Sequence, residues 1–206
     1  MGFVVGFDLD MTLIDPRPGM VALFDRLATE TGIPLDGAAF ASRLGPPLEH
    51  EFAHYDLDRE TTDRLVARFR ELYQETVIPV TVALPGALDA LQAVTERGGD
   101  VIVVTGKHTP NAVAHLDALG LRVNSVVGRL WASGKATALR DQRAEVYVGD
   151  HIGDVMAARD ADAMAVAVAT GPISATDLAD AGADVVLPDL RAFRGWLTSY
   201  LVATVH

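Results

Sequence analysis

Short apolar runs recur along the chain, with helix-like stretches between them. FVVGF (3–7), VIVV (101–104), VYV (146–148), AVAV (165–168) and VVL (185–187) show no alternation, and NSVVG (124–128) is a weaker sixth. Mostly β-branched runs without alternation are expected of strands buried on both faces. Between them lie PGALDALQAVTERGG (85–99), TPNAVAHLDALG (109–120) and GDVMAARDA (153–161). The first opens on Pro85 and closes on Gly98-Gly99, the usual asymmetry of helix start and stop. Strands alternating with helices predict an α/β fold, a doubly wound parallel sheet with right-handed crossovers.

One segment breaks this rhythm. From about residue 17 to 82 the pattern is helical only, as in DRETTDRLVARFRELYQET (58–76), with Pro16, Pro18 and Gly19 at one edge and Pro85-Gly86 at the other. A strand followed by a long helical stretch before the sheet resumes predicts an inserted α-helical cap. The expected division is a core of residues 1–15 and 84–206 and a helical cap of 16–83. No internal repeat is visible.

Composition narrows the function. With 206 residues, half of them hydrophobic, the chain can bury a sizeable core. Its net charge of −11 argues against nucleic acid and against anionic membranes, both of which need clustered Lys and Arg. The absence of Cys removes disulfides, thiolate metal sites and Cys nucleophiles. The first residues lack a basic region before their short apolar stretch, and Gly6 stands where a myristoylation signal needs Ser or Thr. A cytoplasmic protein is the expectation.

In open α/β sheets, ligands bind at the carboxyl ends of the strands. After FVVGF come Asp8, Asp10 and Thr12; after VIVV, Thr105, Gly106 and Lys107; after the weak strand, SGKATAL with Lys135; after VYV, GDHIGD with Asp150 and Asp154. Side chains two apart in an extended chain point the same way, so Asp8 and Asp10 would repel and resist ionising. A hard oxygen-seeking cation such as Mg²⁺ resolves that repulsion. An Asp oxygen can attack phosphorus while the second Asp moves protons. Thr105, a backbone N–H near Gly106 and an ammonium such as Lys135 can hold the phosphoryl oxygens. The ingredients match phosphoryl transfer from a small phosphorylated metabolite.

FDLDxTL, then VVTGK, then an isolated Lys, then GDxxxD also follow in order the four motifs of the haloacid dehalogenase-like hydrolases. The chain resembles in particular their phosphoglycolate phosphatase-like branch, which inserts a helical cap after the first strand. RLGPPLEHEF (43–52) resembles the cap's substrate-facing loop, and AGADVVLPDL (181–190) the last strand. The resemblance implies an aspartyl-phosphate phosphatase, with Asp8 as nucleophile and Mg²⁺ ligand. Asp10 would be the general acid/base with its backbone carbonyl on the metal. Thr105 and Lys135 would bind phosphoryl, with Asp150 and Asp154 at the metal. Thr12, Gly106, Lys107 and Arg43 join as substrate contacts, Arg43 being equally a plain surface residue. Dehalogenases of the family lack the second Asp, so Asp10 with Thr12 points to a phosphatase; a phosphosugar mutase is the alternative within the family. Two positions depart from the branch. Met11 replaces the usual Gly, where altered substrate choice is expected, and Ala136-Thr137-Ala138 replaces a Pro-x-Pro stretch after Lys135.

Two further readings compete. HEFAH (50–54) fits the H-E-x-x-H zinc-protease helix, with Glu71 or Glu75 as a third ligand. It leaves the strand-end residues unexplained, and solvent-facing His on a cap helix is the plainer account. A phospho-receiver domain shares the acidic pair, Thr and Lys, but is shorter and lacks the insertion. His151, inside GDHIGD, is placed near the site without a role; His108 is placed near the rim, and His115 in a helix.

Overall fold

In the computed structural model, which describes residues 2–44, 48–131 and 133–204, the apolar runs become a six-stranded sheet. β1 (Val4–Phe7) ends where Leu9 carbonyl accepts from Thr12, Leu13 and Ile14 N–H, a tight turn after which β2 (Ile14–Asp15) begins. Next come α1 (Arg17–Thr31), α2 (Gly37–Ala41), α3 (Leu48–Phe52) and α4 (Arg59–Thr76), the last capped by the Asp58 side chain on Thr61 N–H. β3 (Val82–Ala83) returns antiparallel to β2. This two-stranded ribbon brackets the helical stretch at its two edges and is not read from the sequence; pieces of two residues each carry no readable period.

The remaining chain alternates as predicted: α5 (Ala87–Thr95), β4 (Asp100–Val104), α6 (Thr109–Ala118), β5 (Ser125–Val127), α7 (Ser133–Asp141), β6 (Val146–Gly149), α8 (Ile152–Asp160), β7 (Met164–Val168), α9 (Ala175–Asp180), β8 (Val185–Leu187) and α10 (Phe193–Thr204). The order β5-β4-β1-β6-β7-β8 is parallel throughout. The chain winds outward from β1 through β4 to β5, then crosses back to β6. The crevice at the carboxyl ends of β4, β1 and β6 is therefore the topological switch point, where this architecture binds ligands.

Three apolar cores result. One sheet face packs on α5, α6 and α10, with Phe7 and Phe193 rings 5.3 Å apart. The other packs on α7, α8 and α9 through small residues such as Ala157, Ala158, Ala165 and Ala167. The helices between β2 and β3 have their own core, built on Phe24, which stacks on Phe40 at 4.1 Å and on Phe52 at 5.6 Å. Burying a side chain of this size contributes roughly 1.5–3 kcal/mol. No helix among the described residues is long and apolar enough to cross a membrane.

Candidate active site

The switch point gathers the residues named by the strand-end rule. Asp8 follows β1, its N–H bound to Val148 carbonyl at 2.8 Å. Thr105 follows β4, Asp150 follows β6, and Asp154 lies in the first turn of α8; all are buried. Lys135 reaches in from α7, with Nζ 3.0 Å from Asp8 Oδ1 and 2.7 Å from Asp154 Oδ1. Oxygens of Asp8, Asp150 and Asp154 lie within 4.8 Å of one another, a group able to hold a metal ion. A small cavity of about 20 Å³ opens over them, bordered by Thr105, Gly106 and Trp131.

The donor set fits a hard divalent cation. The three clustered side chains all offer carboxylate oxygens, the donors Mg²⁺ prefers, and Asp8 Oδ1 is buried with the Lys135 ammonium 3.0 Å away. Four carboxylates, with Asp10 included, face only two ammoniums, those of Lys107 and Lys135. Burial, followed by the charges of Asp154 and Asp10, outweighs Lys135 and raises the Asp8 carboxyl to about 6. Burial, then Asp154 and Asp8, also raises Asp150 well above the ordinary range. Burial alone would lower the Lys135 ammonium, but Asp154 and Asp8 raise it, so it stays charged. Two glycines make the packing possible: a Cβ on Gly171 would fall on the Asp150 carboxylate, and one on Gly149 on that of Asp154.

Of the expected substrate contacts, Gly106 and Lys107 border both cavities, whereas Thr12 and Arg43 are placed otherwise. Thr12 is fully buried, and its hydroxyl donates to Asp150 Oδ1 at 2.9 Å; it orients a carboxylate instead of meeting substrate. The Lys107 ammonium is engaged by Asp10 Oδ2 at 2.9 Å and the Tyr73 hydroxyl at 2.5 Å. The Asp10 carboxylate thus turns to Lys107 and stands outside the three-carboxylate group. Arg43 binds Glu51 at 2.5 Å and borders neither cavity at the site. Arg70 and Arg129 border the larger one instead.

Met11 also departs from expectation. It is buried, with φ 59° in the left-handed region, and borders neither cavity. The turn needs a residue there that tolerates this backbone, which explains why glycine suits the position. Met11→Gly is expected to leave substrate preference unchanged and to cost about 1–3 kcal/mol. Losing a buried Met side chain (about 2–5 kcal/mol) exceeds the relief of the left-handed backbone (about 1–2 kcal/mol). Denaturant melts and a substrate panel on both proteins check this.

Other residues at the site were given no role by the sequence. His151 caps α8, its Nδ1 accepting from Gly153 N–H at 3.0 Å, and its ring meets Trp131 at 5.5 Å. Tyr147 lies under Lys135, 5.7 Å from Nζ to the ring. Tyr73 of α4 joins Lys107 to His115 of α6, its hydroxyl 2.9 Å from His115 Nε2. Burial, then Lys107, lowers His115 to about 3, so the ring stays neutral. Thr170, whose hydroxyl donates to Met11 carbonyl at 2.6 Å, and Gly171 follow AVAV; the strand-end rule applied to that run would have found them.

The zinc helix is not built. α3 ends at Phe52 and Ala53–Tyr55 is a 3₁₀ turn, His50 and His54 are exposed, and Glu51 is held by Arg43. Glu71 and Glu75 pair with Arg68 and Arg26. Thr105, not an Asp, follows β4, unlike the residue after the middle strand of a receiver domain.

The sequence model of the haloacid dehalogenase-like hydrolases matches residues 5–159. A phosphoglycolate phosphatase of Rhodospirillum rubrum is 32% identical over 215 residues, spanning 93% of this chain and 89% of its own. One from Caulobacter vibrioides is 28% identical over 206 residues, spanning 90% and 86%. The solved structure of a haloacid dehalogenase-like family hydrolase from Streptococcus pneumoniae superposes with a TM-score of 0.81 at 23% identity, over 97% of this chain and 98% of that one. Its likeness speaks to the fold, and the family match and the phosphatase relatives speak to the chemistry at this switch point. The chain belongs to the haloacid dehalogenase-like hydrolase family, in its phosphoglycolate phosphatase-like branch, and is a phosphatase.

Proposed function

We propose that the chain is a Mg²⁺-dependent phosphatase that hydrolyses a small phosphomonoester through an aspartyl-phosphate on Asp8, with residues 16–83 acting as a cap over a core of 1–15 and 84–206. The observation that carries this is Asp8, buried at the end of β1 with Oδ1 3.0 Å from the Lys135 ammonium and clustered with Asp150 and Asp154. An oxygen so placed attacks phosphorus while the ester P–O bond breaks, and Asp10 gives its proton to the departing oxygen. Asp10 then takes a proton from the water that attacks the phospho-Asp8, which releases phosphate and restores the Asp8 carboxylate and the protonated Asp10. Lys135 and Thr105 hold the phosphoryl oxygens, and Lys107 steers the Asp10 carboxylate through their ion pair. Asp8, Asp150, Asp154 and the Asp10 backbone carbonyl would hold Mg²⁺, which when bound supplies charge that polarises the phosphoryl group. We place the protein in the cytoplasm on its cysteine-free composition.

The test is phosphate release from a panel of phosphorylated metabolites that includes phosphoglycolate, with and without Mg²⁺. Metal-dependent release with turnover supports the reading. Phosphate passed to a sugar acceptor instead of water would make the enzyme a mutase, and a single trapped phosphate per chain would sink turnover altogether.

A pH dependence follows from the raised carboxylates. Asp8 rises from 3.8 to about 6 on folding, so its stabilising contribution is full below about pH 4 and is lost as pH rises through 6; Asp150 acts in the same direction. A cation bound to the ionised cluster restores that loss. Thermal melts are therefore expected to show a Mg²⁺-induced rise at about pH 7.5 and almost none at about pH 4.5. Equal rises at both values would contradict the assignment of the cation to these residues.

A further inference from the structure

The small cavity at the carboxylates continues into a larger one of about 290 Å³. The two share Asp10, Leu44, Gly106, Lys107 and Trp131 as walls. A phosphoryl group seated at Asp8 therefore has its ester oxygen directed past Asp10 into the larger space, where the released alcohol must lie. At a liquid share of about 30 Å³ per water, that space corresponds to roughly ten waters. The two-carbon glycolate would leave most of it filled with water.

The wall is also wrong for so small and polar a group. Met20, Phe40, Leu48, Phe69, Tyr73 and Leu130 border the space, and Trp131 closes the side toward the carboxylates. They come from all four helices of the segment between β2 and β3 and from the loop after β5. His108, Asn111, Arg70 and Arg129 also border the space. Arg129 is close enough to His108 to lower its pKa, after burial. A cavity with an apolar body and a cation on its border recognises a ligand with an apolar body and an acid group.

We infer, on the basis of the phosphatase reading above, that the substrate is the phosphate ester of a bulky, aryl- or branched-alkyl-bearing hydroxy acid: its apolar body lies against Phe40, Phe69 and Trp131, its carboxylate faces Arg129, and phosphoglycolate is a poor substrate. An apolar group that fills such a pocket gains roughly 10–200-fold in kcat/KM for each methylene buried.

Three esters with similarly basic leaving groups test this: phosphoglycolate, benzyl phosphate and the phosphate ester of 3-phenyllactate, each assayed for phosphate release with Mg²⁺. The expected order of kcat/KM is 3-phenyllactate ester over benzyl phosphate over phosphoglycolate, each step about tenfold or more. Arg129→Ala should remove the advantage of the phenyllactate ester over benzyl phosphate. Met20→Trp, which fills the apolar end, should lower the ratio of benzyl phosphate to phosphoglycolate by about tenfold. Each ratio is taken on one preparation, so it does not depend on how much of a variant is folded. Phosphoglycolate as the best substrate, or ratios unmoved by both substitutions, would overturn the substrate class while leaving the phosphatase standing. No Mg²⁺-dependent release from any of the three or from acetyl phosphate would take down both.

Discussion

Asp8→Asn is expected to lower phosphate release by at least about 10³-fold, because an amide oxygen is a far weaker nucleophile and no neighbouring group replaces it. Asp150 gives one oxygen to Thr12, and Asp154 is tied to Lys135 and to the His151 N–H. Asp10 is turned toward Lys107. Among the described residues only Asp8 combines the end of β1, contact with Lys135 and a place in the three-carboxylate cluster. The same substitution is expected to stabilise the metal-free protein above about pH 6. Folding raises the Asp8 carboxyl to about 6, so its ionised form is disfavoured in the folded chain, and a neutral amide avoids that cost. Activity lost while the denaturant midpoint rises cannot come from misfolding. Asp8→Asn with appreciable turnover would remove Asp8 as nucleophile, and a lowered midpoint would contradict the electrostatic account of the cluster.

The carboxylates were legible because the information is local. A buried parallel strand shows as an unbroken apolar run, and its carboxyl end is simply where the run stops, so Asp8, Thr105 and Asp150 could be placed without coordinates. What a side chain touches is not local. Thr12 has the same spacing whether its hydroxyl meets substrate or Asp150, 138 residues away. Arg43 is neutralised by an ion pair with Glu51, eight residues on, that its position in the sequence does not announce. Lys107, Tyr73 and His115 meet from three separate segments. The β2–β3 ribbon needs residues 14–15 and 82–83 to be paired before either reads as a strand. HEFAH carried a true helical spacing, but its last two residues lie in a 3₁₀ turn, which changes where His54 points. Motif order and strand ends therefore pointed to the candidate site, whereas the cavity beside it depends on packing between segments far apart in sequence.

Lys135→Met is the second large effect, and its size should depend on pH. The ammonium is buried between Asp8 and Asp154, 5.7 Å from the Tyr147 ring, so its removal leaves two buried carboxylates without their shared cation. Breaking a buried pair in this way costs about 3–5 kcal/mol. Lys135 is the main group holding the Asp8 carboxyl down, so without it Asp8 rises further and takes up a proton at higher pH. The loss of stability is therefore full where wild-type Asp8 is ionised, above about pH 6, and shrinks as the pH falls toward about 4.5 and the carboxylates become neutral. Turnover should fall by about 10²–10³-fold even at saturating Mg²⁺, since the cation that faces the phosphoryl oxygens is gone. Added Mg²⁺ should recover part of the stability but not the rate, because it can neutralise the carboxylates without occupying the ammonium's position. Urea melts at about pH 4.5 and 7.5, paired with kcat/KM, decide it: a pH-independent destabilisation would mean that Lys135 matters for packing alone, and an unimpaired rate would remove it from the phosphoryl site.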